Sequence, residues 1–432
     1  MNRARKSLHA LDWMNFCMAD MQMALGAFIA IYLTSVRHWN PAQAGIVVAA
    51  QSIATMLAQP GIGALVDWSN QKKTISGIAA GLVAAGILLV PVVPSLFQQV
   101  LVQVLIGVSV AAFPPLIGAV SLGIVGNERL PQRIGRNEMF NHSGKVAMAL
   151  LAGALAACLG KQWFFYTAFV FGMGTILASG FVHSDDINNQ QARAADVADQ
   201  RFPIDPRPVN FARTVSVAEL FQDRRIPIFL ASVVLFHLAN ACLLQLVTES
   251  LAQGKDERSS FYVSACIIVA QSIMIPVAWL ASRLTDVFGR KPLFLLCYAI
   301  VALRALLFAF GGHDWYLISV QSLDGVAAAV FGVLWTLITS DLARGTGRFN
   351  FLQGVVASSW YVGAFLSNVA GGYIANRLGF QSSFVCQAGI AAVGFLFFLV
   401  LMPETKDSIR ARRAHHARLG QAAEIRSENA PA

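Results

Sequence analysis

Charge is scarce in this chain. Only 13% of its 432 residues are Asp, Glu, Lys or Arg, against about 25% in a soluble domain. Too few polar side chains remain to clothe a water-soluble globule of this size. Acids are scarcer than bases, 23 against 32. The bases stand between apolar blocks rather than on one stripe, which argues against nucleic acid as a partner and for basic loops on one side of a membrane. The six cysteines, Cys17, Cys158, Cys242, Cys266, Cys297 and Cys386, contain no Cys-x-x-Cys pair and all fall inside apolar blocks. Packing is their expected role, with no disulfide and no metal. A phosphate-binding G-x-x-x-x-G-K-[S/T] loop is missing, and so is any nucleophile–base or metal-ligand spacing. Neither an ATP-driven pump nor an enzyme is expected, and no cofactor. The basic stretch Met1–Ser7 precedes a long apolar segment holding Asp20, which reads as a retained span and not a cleaved signal.

Apolar residues, in contrast, make up 56% of the chain and come in long blocks. Leu25–Leu33 and Leu82–Val93 carry no charge, and Val100–Gly126 runs uncharged past the ~20 residues a bilayer requires. In hydrocarbon the backbone must bond to itself, so such blocks become helices. The pattern predicts an all-α integral membrane protein with twelve transmembrane helices. They fall at 12–34, 42–66, 74–94, 96–126, 139–159 and 163–183, then at 226–248, 261–283, 292–311, 315–341, 350–374 and 380–402. With both termini on one side, that side holds 25 basic residues and the other holds five: Arg37, Lys161, Lys255, Arg258 and Arg377. The richer side is expected to be the cytoplasm, in a cell membrane (inner or plasma). The polar stretch 184–225, with Pro203, Pro206 and Pro208, reads as a mobile cytoplasmic linker. It divides an N-terminal bundle, 1–183, from a C-terminal bundle, 226–403. A basic cytoplasmic tail follows at 404–432 and is placed to meet anionic lipid.

The two halves repeat. Ala50-Gln51-Ser52-Ile53 in span two returns as Ala270-Gln271-Ser272-Ile273 in span eight. VQVLIGVSVAAF from Val102 and VQSLDGVAAAVF from Val320 agree at seven of twelve positions. Asp67 with Lys72 and Lys73 after span two matches Asp286 with Arg290 and Lys291 after span eight. Gly135-Arg136 before span five resembles Gly347-Arg348 before span eleven. Order and spacing are kept, so a six-helix unit is duplicated. The halves are parallel, because six crossings return the chain to its starting side.

These residues resemble the major facilitator superfamily (MFS) along the full length. The segment Ser282–Pro292, SRLTDVFGRKP, resembles that family's loop motif, with Asp286, Gly289, Arg290 and Lys291 in place and Ser282 where a Gly is usual. The first copy, Gly63–Lys73, keeps Gly63 and Asp67 but lacks the Gly-Arg pair. Pro403-Glu404-Thr405-Lys406 is similar to the ending of many members, sugar porters among them. The resemblance implies the MFS fold, with alternating access between two bundles. On that fold Asp67, Asp286, Lys72, Lys73, Arg136 and Arg348 suit an inner gate. Exposed charge contacts are worth ~1 kcal/mol each, weak enough to break every cycle. Setting topology is the other role open to the bases.

Four charges stand out within the spans, where each costs ~3 kcal/mol or more: Asp20, Lys145, Arg304 and Asp324. Arg304 in span nine and Asp324 in span ten lie ~10 and ~13 Å from the outer surface at helical rise, so they are expected to pair. Their first-half counterparts are Gly86 and Ile106. Such a pair pins two helices or exchanges a proton. The second role is that of Arg and an acid on these spans in proton-coupled sugar symporters of the superfamily, which the pair resembles in type and place. Asp20 and Lys145 are each ~10 Å from the inner surface. Asp20 is the leading candidate for proton or substrate contact, since span one lines the cavity in this family. Lys145, with Asn141 and His142, suits an anionic group. His237, Asn240, Gln51, Gln271, Gln103 and Gln321 line a polar cavity or bond between helices. Where drug–proton antiporters carry Arg in span four, this chain has Gln103, and 139–159 lacks proline. Taken together the expectation is a monomeric secondary transporter of a small organic solute, coupled to protons. Drug or metabolite efflux is the alternative, and a membrane scaffold or receptor the third.

Overall fold

The computed structural model describes residues 3–19, 24–195, 214–252 and 259–406. Among them every regular element is helical. Span one is carried by Arg3–Met18 and Ala24–Ser35, span two by Pro41–Trp68 and span three by Lys72–Leu89. Span four begins with Leu96–Val110 and continues into Phe113–Leu159, which also holds span five. Span six is Trp163–Gly180. Span seven comprises Arg225–Asn240 and Leu243–Ala252, span eight is Ser259–Phe288 and span nine Lys291–Phe310. Span ten is Asp314–Val320 with Ser322–Ala343, and spans eleven and twelve are Phe349–Leu378 and Phe380–Leu401. Nine stretches of the described residues are by themselves long and apolar enough to cross a bilayer. Twelve crossings result because Leu96–Ala156 holds two, the described parts of span one, of 16 and 12 residues, are each too short to stand out, and span eleven is too polar to do so. Its Asn350, Gln353 and Ser358 turn toward the other bundle instead of lipid.

Local chemistry sets the breaks. Spans three and four, barely divided in the sequence, are separated by a reciprocal cap. Ser95 Oγ accepts from Gln98 N and Gln98 Oε1 accepts from Ser95 N, both at 3.3 Å. Span five does not begin at 139. The chain turns at Gly126, with φ 72° and ψ 174°, a conformation that glycine adopts without steric cost. Helix then resumes, so 127–138 is helical where a loop is expected. Its polar residues tolerate burial because they find partners: Arg133 bonds Asp12 and Asn137 bonds Ser121.

In lipid, helices associate through close packing more than through expulsion of water. One apolar core gathers spans one to six around Phe113 and Phe165, and another gathers spans seven to twelve around Phe229, Phe294 and Phe349. Spans two and four, three and six, and one and five pack together in the first half; eight and ten, nine and twelve, and seven and eleven do so in the second. The repeat holds at single residues. A methyl group on Gly107 would stand 2.5 Å from the Gln51 carbonyl, and one on Gly325 would stand 2.6 Å from that of Ala270. Gly144 against Phe16 and Gly363 against Val234 repeat the relation for spans one and five, seven and eleven.

The bundles meet along spans two and eleven and along spans five and eight. Here Gly354 lies against the Gln59 carbonyl, and Gly135 against Ser282 and Ala278. Gly135 is thus matched by Gly354, not by Gly347 as the sequence suggests. Gly347 sits in a loop at φ +68°, whereas Gly135 is mid-helix, so the two dipeptides share letters but not a place. The linker also differs from the expected mobile connection over its described parts. Ala192 and Ala194 are buried. Asn188 N donates to Gly123 O at 3.0 Å, on the first bundle, while Ala194 O accepts from Gly345 N at 2.7 Å, on the second. The segment is a wedge between bundles because its backbone supplies partners to both.

Candidate functional site

At the membrane face that carries the 184–195 segment, the two bundles are joined through the residues expected to form a gate. Asp67 ends span two and reaches the start of span eleven in the other bundle. Its Oδ1 accepts from Asn350 N at 3.1 Å and Asn350 Nδ2 at 2.8 Å, and its Oδ2 accepts from Phe351 N at 2.7 Å. A helix leaves its first amides without partners and carries partial positive charge there, so a carboxylate satisfies both. Asn350 Nδ2 also donates to Ala192 O of the wedge at 3.0 Å. Asp286, the second-half counterpart, accepts from Gln132 Nε2 at 2.6 Å. A side chain stands there where Asp67 meets backbone amides.

The basic members of the motif hold their own bundles. Lys72 is buried and donates to Ser69 O and Asn189 Oδ1, both at 2.9 Å; Lys73 Nζ donates to Gly180 O at 2.6 Å. Arg290 Nε meets Asp341 Oδ2 at 3.2 Å and its Nη1 donates to Thr285 O at 2.8 Å. Glu404 receives the backbone N–H groups of Arg290 and Lys291, both at 2.9 Å, capping span nine. Gly289, at φ +87°, leaves the room: a methyl there would lie 2.7 Å from Glu404 Oε2. Lys291 Nζ donates to Leu399 O at 2.7 Å. Arg136 joins Arg133 on Asp12 of span one, with Nη2–Oδ2 at 2.7 Å. Arg348 Nε donates to Val215 O at 2.9 Å. Gly63 packs against the Asn350 carbonyl.

Deeper in the membrane, Arg304 and Asp324 form an ion pair, with 1% and 15% of their side chains exposed. Asn240 Oδ1 accepts from Arg304 Nη2 at 2.9 Å, and Gln321 Nε2 donates to Asp324 Oδ2 at 3.2 Å. In the first half the same place is closed by packing: a methyl on Gly86 would stand 2.6 Å from Ile106. His142 Nδ1 lies 2.8 Å from Gln271 Oε1, joining spans five and eight. Glu138 Oε2 is 3.6 Å from His142 Nε2, and Lys145 acts electrostatically on both groups. Asn141 is buried on the same helix, and Gln51 is buried against Gly107. His237 does not line an open cavity. Its ring stacks on Trp360 at 4.4 Å, with Phe331 edge-on at 4.9 Å. Asp20 lies outside the described residues.

Sequence reasoning missed Asp12, Arg133, Glu138, Asn350 and Asp341. Glu138 carried a signal: it precedes His142 by four and Lys145 by seven, one face of a helix. The others sit at the ends of apolar blocks or between them, where a polar residue draws no notice.

Two equivalent six-helix bundles that face each other across the membrane are the architecture of a secondary transporter. The family follows from comparison. The Major Facilitator Superfamily model matches residues 12–284 and 278–430, and the chain belongs to that superfamily. An uncharacterised MFS-type transporter of Mycobacterium tuberculosis is 37% identical over 404 residues, 93% of this chain and 95% of that protein. The E. coli fucose:proton symporter FucP superposes with a TM-score of 0.70 at 11% identity, over 93% of this chain and all of that one. The human organic anion transporter MFSD10 gives 0.67 at 15% identity, over 92% of this chain and all of that one.

Proposed function

We propose that this MFS transporter moves a small polar or anionic organic solute by alternating access, coupled to protons, with Arg304–Asp324 as the coupling pair. The buried ion pair carries this reading. Taking two charges out of water costs several kcal/mol per ion (about), and packed apolar groups hold helices as well or better. The first half does so with Gly86 and Ile106. A pair kept in one half only is therefore not there for packing alone. Asp324 retains partial exposure, which a proton acceptor needs, and Arg304 is the cation that proton would replace. The 25-to-5 distribution of basic residues supports a chain with both termini in the cytoplasm of a cell membrane. With the cytoplasmic gate closed, the conformation described is the one that faces outward or is sealed.

A thermal-shift screen against a metabolite library identifies the solute, since a bound ligand raises stability. Flux of that solute in proteoliposomes under an imposed pH gradient then tests coupling. Asp324→Asn is expected to abolish gradient-driven accumulation and to retain solute exchange. Accumulation that ignores the gradient, or persists in Asp324→Asn, rejects the coupling. Flux driven opposite to the proton gradient makes the chain an exporter.

A further inference from the structure

We propose that Glu138 and His142 form a second proton-binding site, whose occupancy is tied to contact between the two bundles. The inference rests on the proton-coupled reading above and adds a site outside the Arg304–Asp324 pair.

The geometry is specific. The Gln271 carboxamide oxygen can only accept, so His142 Nδ1, 2.8 Å away, carries the hydrogen. That leaves the Nε2 lone pair free. Nε2 is buried and has no hydrogen-bond partner among the described residues. It lies 3.6 Å from Glu138 Oε2, and as neither atom carries a hydrogen the two make no hydrogen bond. One added proton turns the two acceptors into a donor–acceptor pair, and a small contraction closes the gap. Glu138 sits one helical turn from His142, the spacing at which side chains meet. On span ten, Gly332 leaves the carboxylate space: a methyl there would stand 3.3 Å from Glu138 Oε2.

Lys145 acts on both groups of this pair, and the described parts of the other elements bring no further charge beside it. Span eight carries no charged side chain between Ala265 and Ala281, span ten none between Gly325 and Ser340, span eleven none before Arg377, span two none before Asp67, and span six none. Lys145 shares the helix. Asp12 of span one lies toward the cytoplasm and is engaged by Arg133 and Arg136; Asp20 lies outside the described residues.

Position gives the pair its consequence. Its acid and base are on the first bundle, and the Gln271 oxygen is on the second. A charged imidazole donates more strongly through Nδ1, so a proton shared by Glu138 and His142 tightens the contact of spans five and eight. Losing that proton loosens it.

Nitrogen NMR on the full chain, labelled at histidine, tests this with the proton as the only ligand. His142→Gln assigns the ring signals. Between pH 5 and 8, where imidazole changes charge (roughly), the His142 Nε2 resonance is expected to move. Glu138→Gln is expected to remove most of that movement, and Glu138→Asp, which retracts the carboxylate, to reduce it. Gln271→Leu is expected to shift the neutral ring away from its Nδ1–H form. A resonance that stays still in the native chain, or moves as far in Glu138→Gln as in the native chain, overturns the site. If that happens while gradient-driven flux still requires Asp324, the inference fails and the function stands. If the resonance behaves as expected while flux ignores the gradient, the site stands and the coupling fails.

Discussion

At the scale of single residues, the test of Arg304 is to separate its charge from its volume. Arg304→Met leaves Asp324 enclosed without its cation, and about 3–5 kcal/mol of stability is expected to be lost. Thermal unfolding in detergent reads this. Arg304→Met with Asp324→Leu removes both charges. It is expected to recover most of the stability, as Gly86 and Ile106 manage without any, and yet to leave accumulation against a gradient absent. Recovery of accumulation by the apolar pair would reduce Arg304–Asp324 to a clamp. Gly289 offers a second test. Its φ of +87° and its closeness to Glu404 predict that Gly289→Ala loses about 1–2 kcal/mol, read as a lower unfolding temperature. Arg304 and Asp324 were legible in the sequence because charge inside an apolar block is conspicuous, and equal depth suggested a pair. Asp12 and Arg133 were not. Asp12 stands at the edge of an apolar block and Arg133 between two of them, and only folding showed that both are buried.

At the scale of elements, the proposed gate depends on a helix end meeting a carboxylate. Asp67 takes two backbone amides and a side-chain amide from span eleven. Charged hydrogen bonds contribute about 1.5–3 kcal/mol each at most. Asp67→Ala should therefore shift the closed-to-open ratio by about tenfold or more. A cysteine at Gln59, now buried between spans two and eleven, reports it: its alkylation rate is expected to rise by a similar factor in Asp67→Ala. Ala192→Trp in the wedge should act in the same direction, since Ala192 is fully enclosed and its carbonyl holds Asn350. An unchanged alkylation rate in both variants would mean that neither contact holds the gate. Span limits were mostly legible from apolar length. The start of span five was not, because hydropathy ends where lipid ends while a helix continues as long as its polar residues find partners. The linker misled for a related reason: Asn, Gln and Asp signal exposure, but the backbone carbonyls of Arg193 and Ala194 do the bonding.

At the scale of the whole molecule, orientation is the decisive prediction. A cysteine at Gln190 is expected to react with an impermeant thiol reagent only from the cytoplasm, and one at Lys161 only from outside. Reversal of either would undo the placement of both termini. The sequence by itself determined that this chain lives in a bilayer, that it crosses about twelve times, and that its halves are copies. Those properties follow from where apolar side chains stand along the chain, because hydrocarbon admits few alternatives to a helix. Tertiary structure decided which polar groups meet. Asp67 with Asn350 and His142 with Gln271 join residues from different bundles, far apart in sequence. No local pattern encodes such partners; they are chosen when packed helices bring two buried polar groups within reach of each other.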